Sequence, residues 1–353
     1  MMKMKKAHLV SGACGFVGRN LVKRLLKTTD DTLFVVDDLS TGTMPETWLF
    51  EEGKDVGNNL RSYQDGRLLF WKGDFRRFLT AITDDHNHVN TAFGLDLPKF
   101  SDIFHFAAIV GGRAKIDGDP MMVALDLSID AEFFYWVCRY KPERVLYPSS
   151  SAAYPIDKQS TDYAIALSED EIRFDANLGQ PDMTYGWSKL TGEYLAQIAA
   201  EYYDISVACI RPFSGYGEDQ DLTYPIPAIA ARAAKKEDPF EVWGSGKQGR
   251  DFVHIDDCID CIMMAIENIS DGHAINIGSG RLTSFLEIIE LFTKFAGYEP
   301  IIKPLLDKPV GVHSRYANMD YVSERFGWKP NVSLEEGMRR VYQAAVKRLA
   351  DGQ

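Results

Sequence analysis

The sequence predicts an α/β protein: a doubly wound, mostly parallel sheet followed by a smaller, mixed C-terminal lobe. Three observations carry this expectation. Short apolar runs alternate with amphipathic helical stretches from residue 7 to residue 212; the first run ends in a glycine-punctuated turn that opens a helix; and from about residue 214 the elements shorten, with prolines at 225, 227, 239, 304, 309 and 330. Alternation of strand and helix builds a parallel sheet covered by helices on both faces. Taken in order, AHLVSG (7–12) is an apolar run stopped by glycine, and GFVGRNLVKRLLKT repeats apolar residues at helical spacing. TLFVVDD (32–38), RLLFWKGD (67–74) and DIFHFAA (102–108) read as the next buried strands, and RVLYPSS (144–150) and ISVACIRP (205–212) continue the series. Helical stretches MMVALDLSIDAEFFYWVCRY and TYGWSKLTGEYLAQIAAEYY separate the later strands. Residues 41–66 and 83–100, rich in Asp, Asn, Gly and Thr, read as surface insertions.

Composition narrows the function classes. A chain of 353 residues, 45% hydrophobic, can bury a large core in one large or two medium domains. Its net charge of -12 argues against a broad footprint for nucleic acid or an anionic membrane, so any anionic ligand must be held locally. No apolar run reaches the ~18 residues of a membrane span. MMKMKK before AHLVSGACGFVG imitates a signal peptide, but its apolar run is short and broken by histidine, serine and glycines. Five irregularly spaced cysteines (Cys14, Cys138, Cys209, Cys258, Cys261) suit a reducing cytoplasm rather than a disulfide framework. Cys258 and Cys261 form a CxxC, but no second CxxC completes a zinc site, and their apolar helical context favours core packing. The seven histidines, DHNH at 85–88 included, lack metal-ligand spacing, so no metal is expected.

Gly12, Gly15 and Gly18 in GACGFVG follow a strand and open a helix. The first permits a tight turn, the second lets the backbone approach a pyrophosphate, and the third lets helix pack on strand, while the helix N-terminus offers free N–H groups to the anion. The spacing is GxxGxxG rather than GxGxxG, and a plain strand-to-helix turn uses the same residues. Asp37, 19 residues after Gly18 at the end of the second strand, is placed to accept from ribose hydroxyls. A carboxylate there repels a 2′-phosphate, and DDLSTG holds no arginine to receive one, which favours NAD over NADP. Asp37 also reads as a strand-end turn residue, the stronger reading for Asp38; Asp74 in WKGDF reads as an adenine contact or a turn cap.

Tyr185 and Lys189 in TYGWSKLTGEY stand four apart in a helical segment and so share a face. A lysine ammonium beside a tyrosine, together with a cationic nicotinamide ring, favours the phenolate; lowering its value by about three units takes roughly 4 kcal/mol. Tyr185 then serves as base for a hydroxyl while the nicotinamide takes a hydride, and Ser150, just past a strand end, is placed to hold the same oxygen. A Tyr and a Lys one turn apart are also ordinary surface residues; the dinucleotide turn and the serine cluster upstream are what strengthen the pairing.

In order, GACGFVG, VVDDLSTG, HFAA, SSSAAY, YGWSK, GKQGRDFVHIDD and FGWKPNVSLEEG resemble the extended short-chain dehydrogenase/reductase family of nucleotide-sugar epimerases and dehydratases, from about residue 7 to 345. The resemblance implies a Rossmann-type domain holding NAD over residues 1–213 and a nucleoside diphosphate sugar lobe over 214–353, with some crossing of the chain between them. It carries the family's Ser/Thr, Tyr and Lys onto Ser150, Tyr185 and Lys189, Ser150 being four residues before Tyr154. It places Phe16, Val17, Phe75, Ala107, Ala108 and Pro212 with Gly12, Gly15, Gly18, Asp37, Asp74, Tyr185 and Lys189 around the cofactor, with the segment His105 to Ala108 on the nicotinamide side. Helices at 119–140 and 184–203 are implied to pair across a homodimer, although the same residues suit intramolecular packing.

On the sugar side, Arg250 resembles the family's diphosphate-binding arginine and Arg315 a second one; surface salt bridges to Asp251 or Asp320 are the plainer use. Ser214 stands where many relatives carry Asn, and Ser150 and Ser151 flank the sugar. Gly111, Gly112 and Arg113 resemble the loop of GDP-mannose 3,5-epimerases. Family dehydratases carry an acid pair at the positions of Ser151 and Ala152, decarboxylases a glutamate at the latter, and 3,5-epimerases a cysteine there. An alanine neither donates nor accepts a proton. The resemblance therefore implies an NAD-dependent 4-epimerase that removes and returns a hydride. A net 4-oxidoreductase, a 2-epimerase, a 3,5-epimerase and a catalytically idle binding protein stay open.

Overall fold

A computed structural model describes residues 5–82, 88–110, 117–160 and 164–352. Its centre is a nine-stranded sheet, formed by β1 (Ala7–Ser11), β2 (Thr32–Asp37), β3 (Lys54–Gly57), β4 (Leu60–Tyr63), β5 (Leu68–Lys72), β6 (Phe100–His105), β7 (Arg144–Pro148), β8 (Val207–Pro212) and β9 (Asp271–Ile277) in the order β9-β8-β7-β6-β1-β2-β5-β4-β3. From β9 to β5 all neighbours run parallel, whereas β4 and β3 fold back antiparallel at the edge. Every residue of β1, β2 and β6 is buried, as in parallel strands covered on both faces, so neither face of these strands turns to solvent. The pleat then divides their side chains between two cores. Ala7, Leu9, Phe34 and Val36 meet Phe133 and Ala196 of the helices Asp126–Tyr140 and Met183–Tyr203; Val10, Leu33 and Val35 meet Leu21 and Ile259 of the helices Phe16–Thr28 and Ile255–Asn268. Each of the larger side chains, fully buried, contributes about 1.5–3 kcal/mol.

The strand order reverses at β1, which pairs with β2 on one side and β6 on the other. Ligands of open α/β sheets bind in the crevice at such a switch point, outside the carboxyl ends of the strands. That is where Ser11, His105 and the glycine turn lie.

Beyond residue 213 the elements are short. Strand pairs Ser214–Tyr216 with Phe252–His254 and Phe240–Trp243 with Ile302–Leu305 surround a third core, in which Phe240, Phe252 and Phe292 pack with Met338 and Val341 of the helix Leu334–Ala350. The chain crosses between the two parts: the helix Ile255–Asn268 and β9 return to the central sheet, while Ala166–Leu167 pairs with Ser314–Ala317.

Two expectations need correction. Residues 41–66 are not a plain surface insertion, because β3 and β4 extend the sheet and Trp48, Leu60 and Tyr63 are buried. Of 83–100, residues 83–87 lie outside the described residues, as does the side chain of His88, and with them DHNH. The helix at 88–93 is no surface feature, since Phe93 packs 5.6 Å from Phe34 and 5.9 Å from Phe78. The sequence also gave no sign of β9.

Candidate active site

The glycine turn is built as its spacing requires. Gly12 has φ 65°, and a Cβ on it would stand 2.4 Å from the Phe106 carbonyl carbon; one on Gly18 would stand 2.3 Å from Gly12 O. Gly15 is the N-cap of the helix Phe16–Thr28 and offers no side chain to cap it, so the first amides point at the turn unpaired by a side chain. An uncapped helix N-terminus behind a cradle that only hydrogens fit is suited to a pyrophosphate. Phe16 and Val17 are the first residues of that helix, both partly exposed.

Asp37 is buried at the end of β2, where one carboxylate oxygen accepts from the Cys14 amide at 2.8 Å and the other from the Leu39 amide at 2.8 Å. It thus ties the turn to the strand; burial pushes its carboxyl up, against the Leu39, Cys14 and Gly15 amides. Asp38 closes its own turn by accepting from the Ser40 amide. Of the two uses open to Asp74, the structure realises the cap: it accepts from the Arg76 amide at 2.9 Å and pairs with the Arg76 guanidinium at 2.7 Å, which holds its carboxyl low. The Phe75 ring belongs to the core, 5.2 Å from His105 and 6.1 Å from Phe133.

Ser150, Tyr185 and Lys189 come together. Ser150 caps the single 3-10 turn Ser151–Ala153, its hydroxyl accepting from the Ala152 amide at 3.1 Å. That turn sits on the helix Met183–Tyr203: a Cβ on Gly186 would stand 2.4 Å from Ala152 O, and the Asp182 amide donates to the same oxygen at 2.9 Å. Burial pushes the Tyr185 phenol up, Lys189 and hydrogen bonding with Ser150 pull it down, and the carboxylates of Asp126 and Asp130 side with burial. The balance is upward where Lys189 is the one neighbouring cation, because burial of a phenolate outweighs it; the expected lowering draws on the nicotinamide ring as a second cation.

Of the group beneath this site, sequence reasoning singled out His105 but not its partners Asp130 and Tyr147. His105 is buried between Ser11 Oγ at 2.8 Å and Asp130 Oδ1 at 3.1 Å, and the Ala107 amide donates to Ser11 Oγ. Ser11 therefore gives its proton to Nδ1 and Nε2–H points at the carboxylate, with the imidazole held neutral by burial. The other Asp130 oxygen accepts from Tyr147 OH at 2.6 Å, and the Lys189 ammonium lies 5.4 Å over the Tyr147 ring. Burial opposes charge on Asp130 and on Lys189 alike, yet their neighbours together outweigh it: Lys189, His105 and Tyr147 hold the carboxyl low, and Asp130, Tyr185 and Asp126 hold the ammonium high. Asp130 bonds directly to His105 and Tyr147 and favours the charge on Lys189 through the low-dielectric interior rather than by a direct ion pair. One turn further along the same helix, Glu193 accepts from the Ser149 hydroxyl and pairs with Arg211 through two bonds at 2.9 and 2.7 Å, which fixes the helix to β7 and β8. The available signal was a set of lone acids in otherwise apolar helices.

Farther out, the strand register sets Arg250 directly opposite Arg315 on parallel neighbours, so both guanidinium groups start from one face of the pair. Arg315 donates to Gln159 Oε1 at 2.6 Å and pairs at 2.9 Å with Asp182, the N-cap of the helix that carries Tyr185; Arg250 donates to the carbonyls of Gly249 and Val310. Asp251, the plainer partner considered for Arg250, is buried and accepts from Ser279, Gly280 and Ala317. Ser214 and Pro212 flank the end of β8, and Ser151 is buried in the 3-10 turn. Gly111, Gly112 and Arg113 lie outside the described residues.

Comparison with known proteins bears on the family and the fold. The model of the NAD dependent epimerase/dehydratase family matches residues 8–278. CDP-paratose 2-epimerase of Salmonella typhi is 26% identical, over 95% of this chain and 97% of its own. Among solved structures, the UDP-glucose 4-epimerase of Thermotoga maritima superposes with a TM-score of 0.76 at 23% identity, covering 98% of this chain and 99% of its own. The UDP-glucuronic acid 4-epimerase of Bacillus cereus, solved with UDP-glucuronic acid and NAD, gives 0.75 at 25% identity, covering 97% and 99%.

Proposed function

This chain belongs to the NAD dependent epimerase/dehydratase family, and we propose that within it the protein is a nucleotide-sugar 4-epimerase that keeps its NAD through turnover. Bound NAD supplies the acceptor and later the donor of a hydride. The residues present fit it: the glycine turn and helix N-terminus for the pyrophosphate, Asp37 for the ribose, and Lys189 beside the nicotinamide end. Tyr185 Oη takes the proton of the 4-hydroxyl as the C4 hydrogen leaves as hydride, Ser150 holds the same oxygen, and Lys189 stabilises the phenolate. Rotation of the 4-keto sugar presents its other face, the hydride returns, and Tyr185 gives the proton back, so nothing is oxidised or reduced on balance. Arg250 and Arg315, paired in register, suit the diphosphate.

The observation that carries this reading is Ala152. The turn that positions Ser150 presents a buried methyl where a second acid or base would stand, so elimination and carbon deprotonation lack a participant there. The experiment is to incubate purified protein with UDP- and GDP-sugars without added NAD and follow products by NMR. Inversion at C4 without net NADH supports the reading; stoichiometric NADH identifies a net oxidoreductase instead. A second reading, inversion at C2 by the same hydride route, draws on the likeness to the Salmonella 2-epimerase and appears in the same spectra as a C2 product. The free cysteines suit a cytoplasmic enzyme, and the aromatic faces of the helices Asp126–Tyr140 and Met183–Tyr203 suit a homodimer.

A further inference from the structure

Loop 217–220 joins three elements that the sequence keeps far apart. On one side Glu218 lies 3.1 Å from His254 Nε2 and accepts from Arg340, which ties the loop to the N-cap of the helix Ile255–Asn268 and to the helix Leu334–Ala350. On the other side its neighbour Asp219 meets the helix that begins at the glycine turn. Arg19, only 7% exposed, donates through Nε to Asp219 Oδ2 at 2.8 Å and through Nη2 to the Asp219 carbonyl, while its Nη1 reaches Cys14 O inside the turn. Asn20 Nδ2 donates to Asp219 Oδ1 at 3.1 Å, and Lys23 Nζ lies 3.3 Å from Oδ2. Three donors from two turns of one helix thus converge on one carboxylate. Burial pushes that carboxyl up, yet Arg19 and Lys23 outweigh it and hold it low, so the charge is kept. The loop is pressed close as well: a Cβ on Gly217 would stand 3.1 Å from the Phe16 ring and 2.6 Å from Ile255.

We propose that Asp219 is a cofactor-retention residue: through Arg19, Asn20 and Lys23 it latches the substrate-side loop onto the helix whose N-terminus receives the dinucleotide phosphates, and so slows loss of NAD between turnovers. This rests on the resident-cofactor reading above. A loop held against Phe16 walls one side of the anion-binding turn, and a charge-assisted, partly buried set of bonds is strong enough to govern an escape rate. The roles of the two acids are separable, because Glu218 serves the C-terminal helices and Asp219 the cofactor helix.

The test measures NAD bound per chain after gel filtration, and its release rate when a second NAD-consuming enzyme traps what escapes. Wild type, Asp219→Asn and Lys23→Met are compared with Arg340→Ala, which loosens the same loop from its other side. Wild type is expected to retain NAD, Asp219→Asn to release it about tenfold faster or more, Lys23→Met to move in the same direction by less, and Arg340→Ala to match wild type. Should Asp219→Asn fail to fold, Lys23→Met decides. Retention unchanged in Asp219→Asn and Lys23→Met, or release equally fast in Arg340→Ala, overturns the latch while leaving the resident cofactor intact. A wild type that itself sheds NAD on gel filtration overturns both.

Discussion

At the scale of single residues, the site is an exercise in balancing one buried cation. In the proposed mechanism Tyr185 must lose a proton in surroundings that oppose its charge, so turnover is expected to rise with pH as the phenolate fills, with Lys189 setting where. Lys189→Met is expected to move the acid limb of the kcat/KM profile up by about 1–3 pH units; a limb that stays in place means Lys189 does not set the base. Tyr185→Phe should abolish turnover with NAD still bound, and activity surviving within about tenfold shows the base to be misassigned. Lys189 in turn needs Asp130. Asp130→Asn removes the buried carboxylate that bonds His105 and Tyr147 and favours the Lys189 charge, and is expected to cost roughly 3–5 kcal/mol in chemical denaturation. The sign of the pH dependence follows: a carboxyl held low contributes stability present above its unfolded value near 3.9 and lost as pH falls through the folded one, so acid should narrow the gap between wild type and the variant. A gap constant down to acid denaturation contradicts that role.

At the scale of elements, the strand–turn–helix at the N-terminus is the most exacting piece. Gly18→Ala puts a Cβ against Gly12 O and Ala13, so it is expected to unseat the helix, lower Tm and abolish NAD binding by calorimetry; full binding by this variant shows that helix and turn can separate. This element was legible in the sequence because glycine spacing, an apolar strand and a strand-end Asp are all local signals. So was the trio, since Tyr185 and Lys189 need only helical spacing to meet and Ser150 lies just past a strand end. β9 was not legible: His273 and Asn276 interrupt its apolar run, and Asn276 is tolerated only because Tyr154, Leu167 and Asn318 satisfy its amide from afar. Asp130 was missed for the same reason, its partners coming from β6 and β7. The edge hairpin hid because its outer strand Lys54–Gly57 is exposed throughout and carries turn-type residues.

At the scale of the whole molecule, helices Asp126–Tyr140 and Met183–Tyr203 cover one face of the sheet side by side and leave Tyr135, Trp187, Tyr194 and Tyr202 exposed. Aromatic residues concentrated on an outer helical face mark an association surface. Trp187→Asp combined with Tyr194→Glu is expected to convert a dimer to a monomer in light scattering; an unchanged mass places the interface elsewhere. The two parts of the chain meet over the carboxyl ends of the strands, where one chemical event is claimed: hydride leaves and returns to the same carbon. The most direct measurement uses a nucleotide sugar deuterated at C4, incubated with the protein in ordinary water without added NAD. The account predicts an inverted product that keeps its deuterium at C4 and gains no solvent hydrogen at the neighbouring carbons. Loss of deuterium from C4 with its net transfer to reduced nicotinamide cofactor, or solvent exchange at C3 or C5, would contradict it.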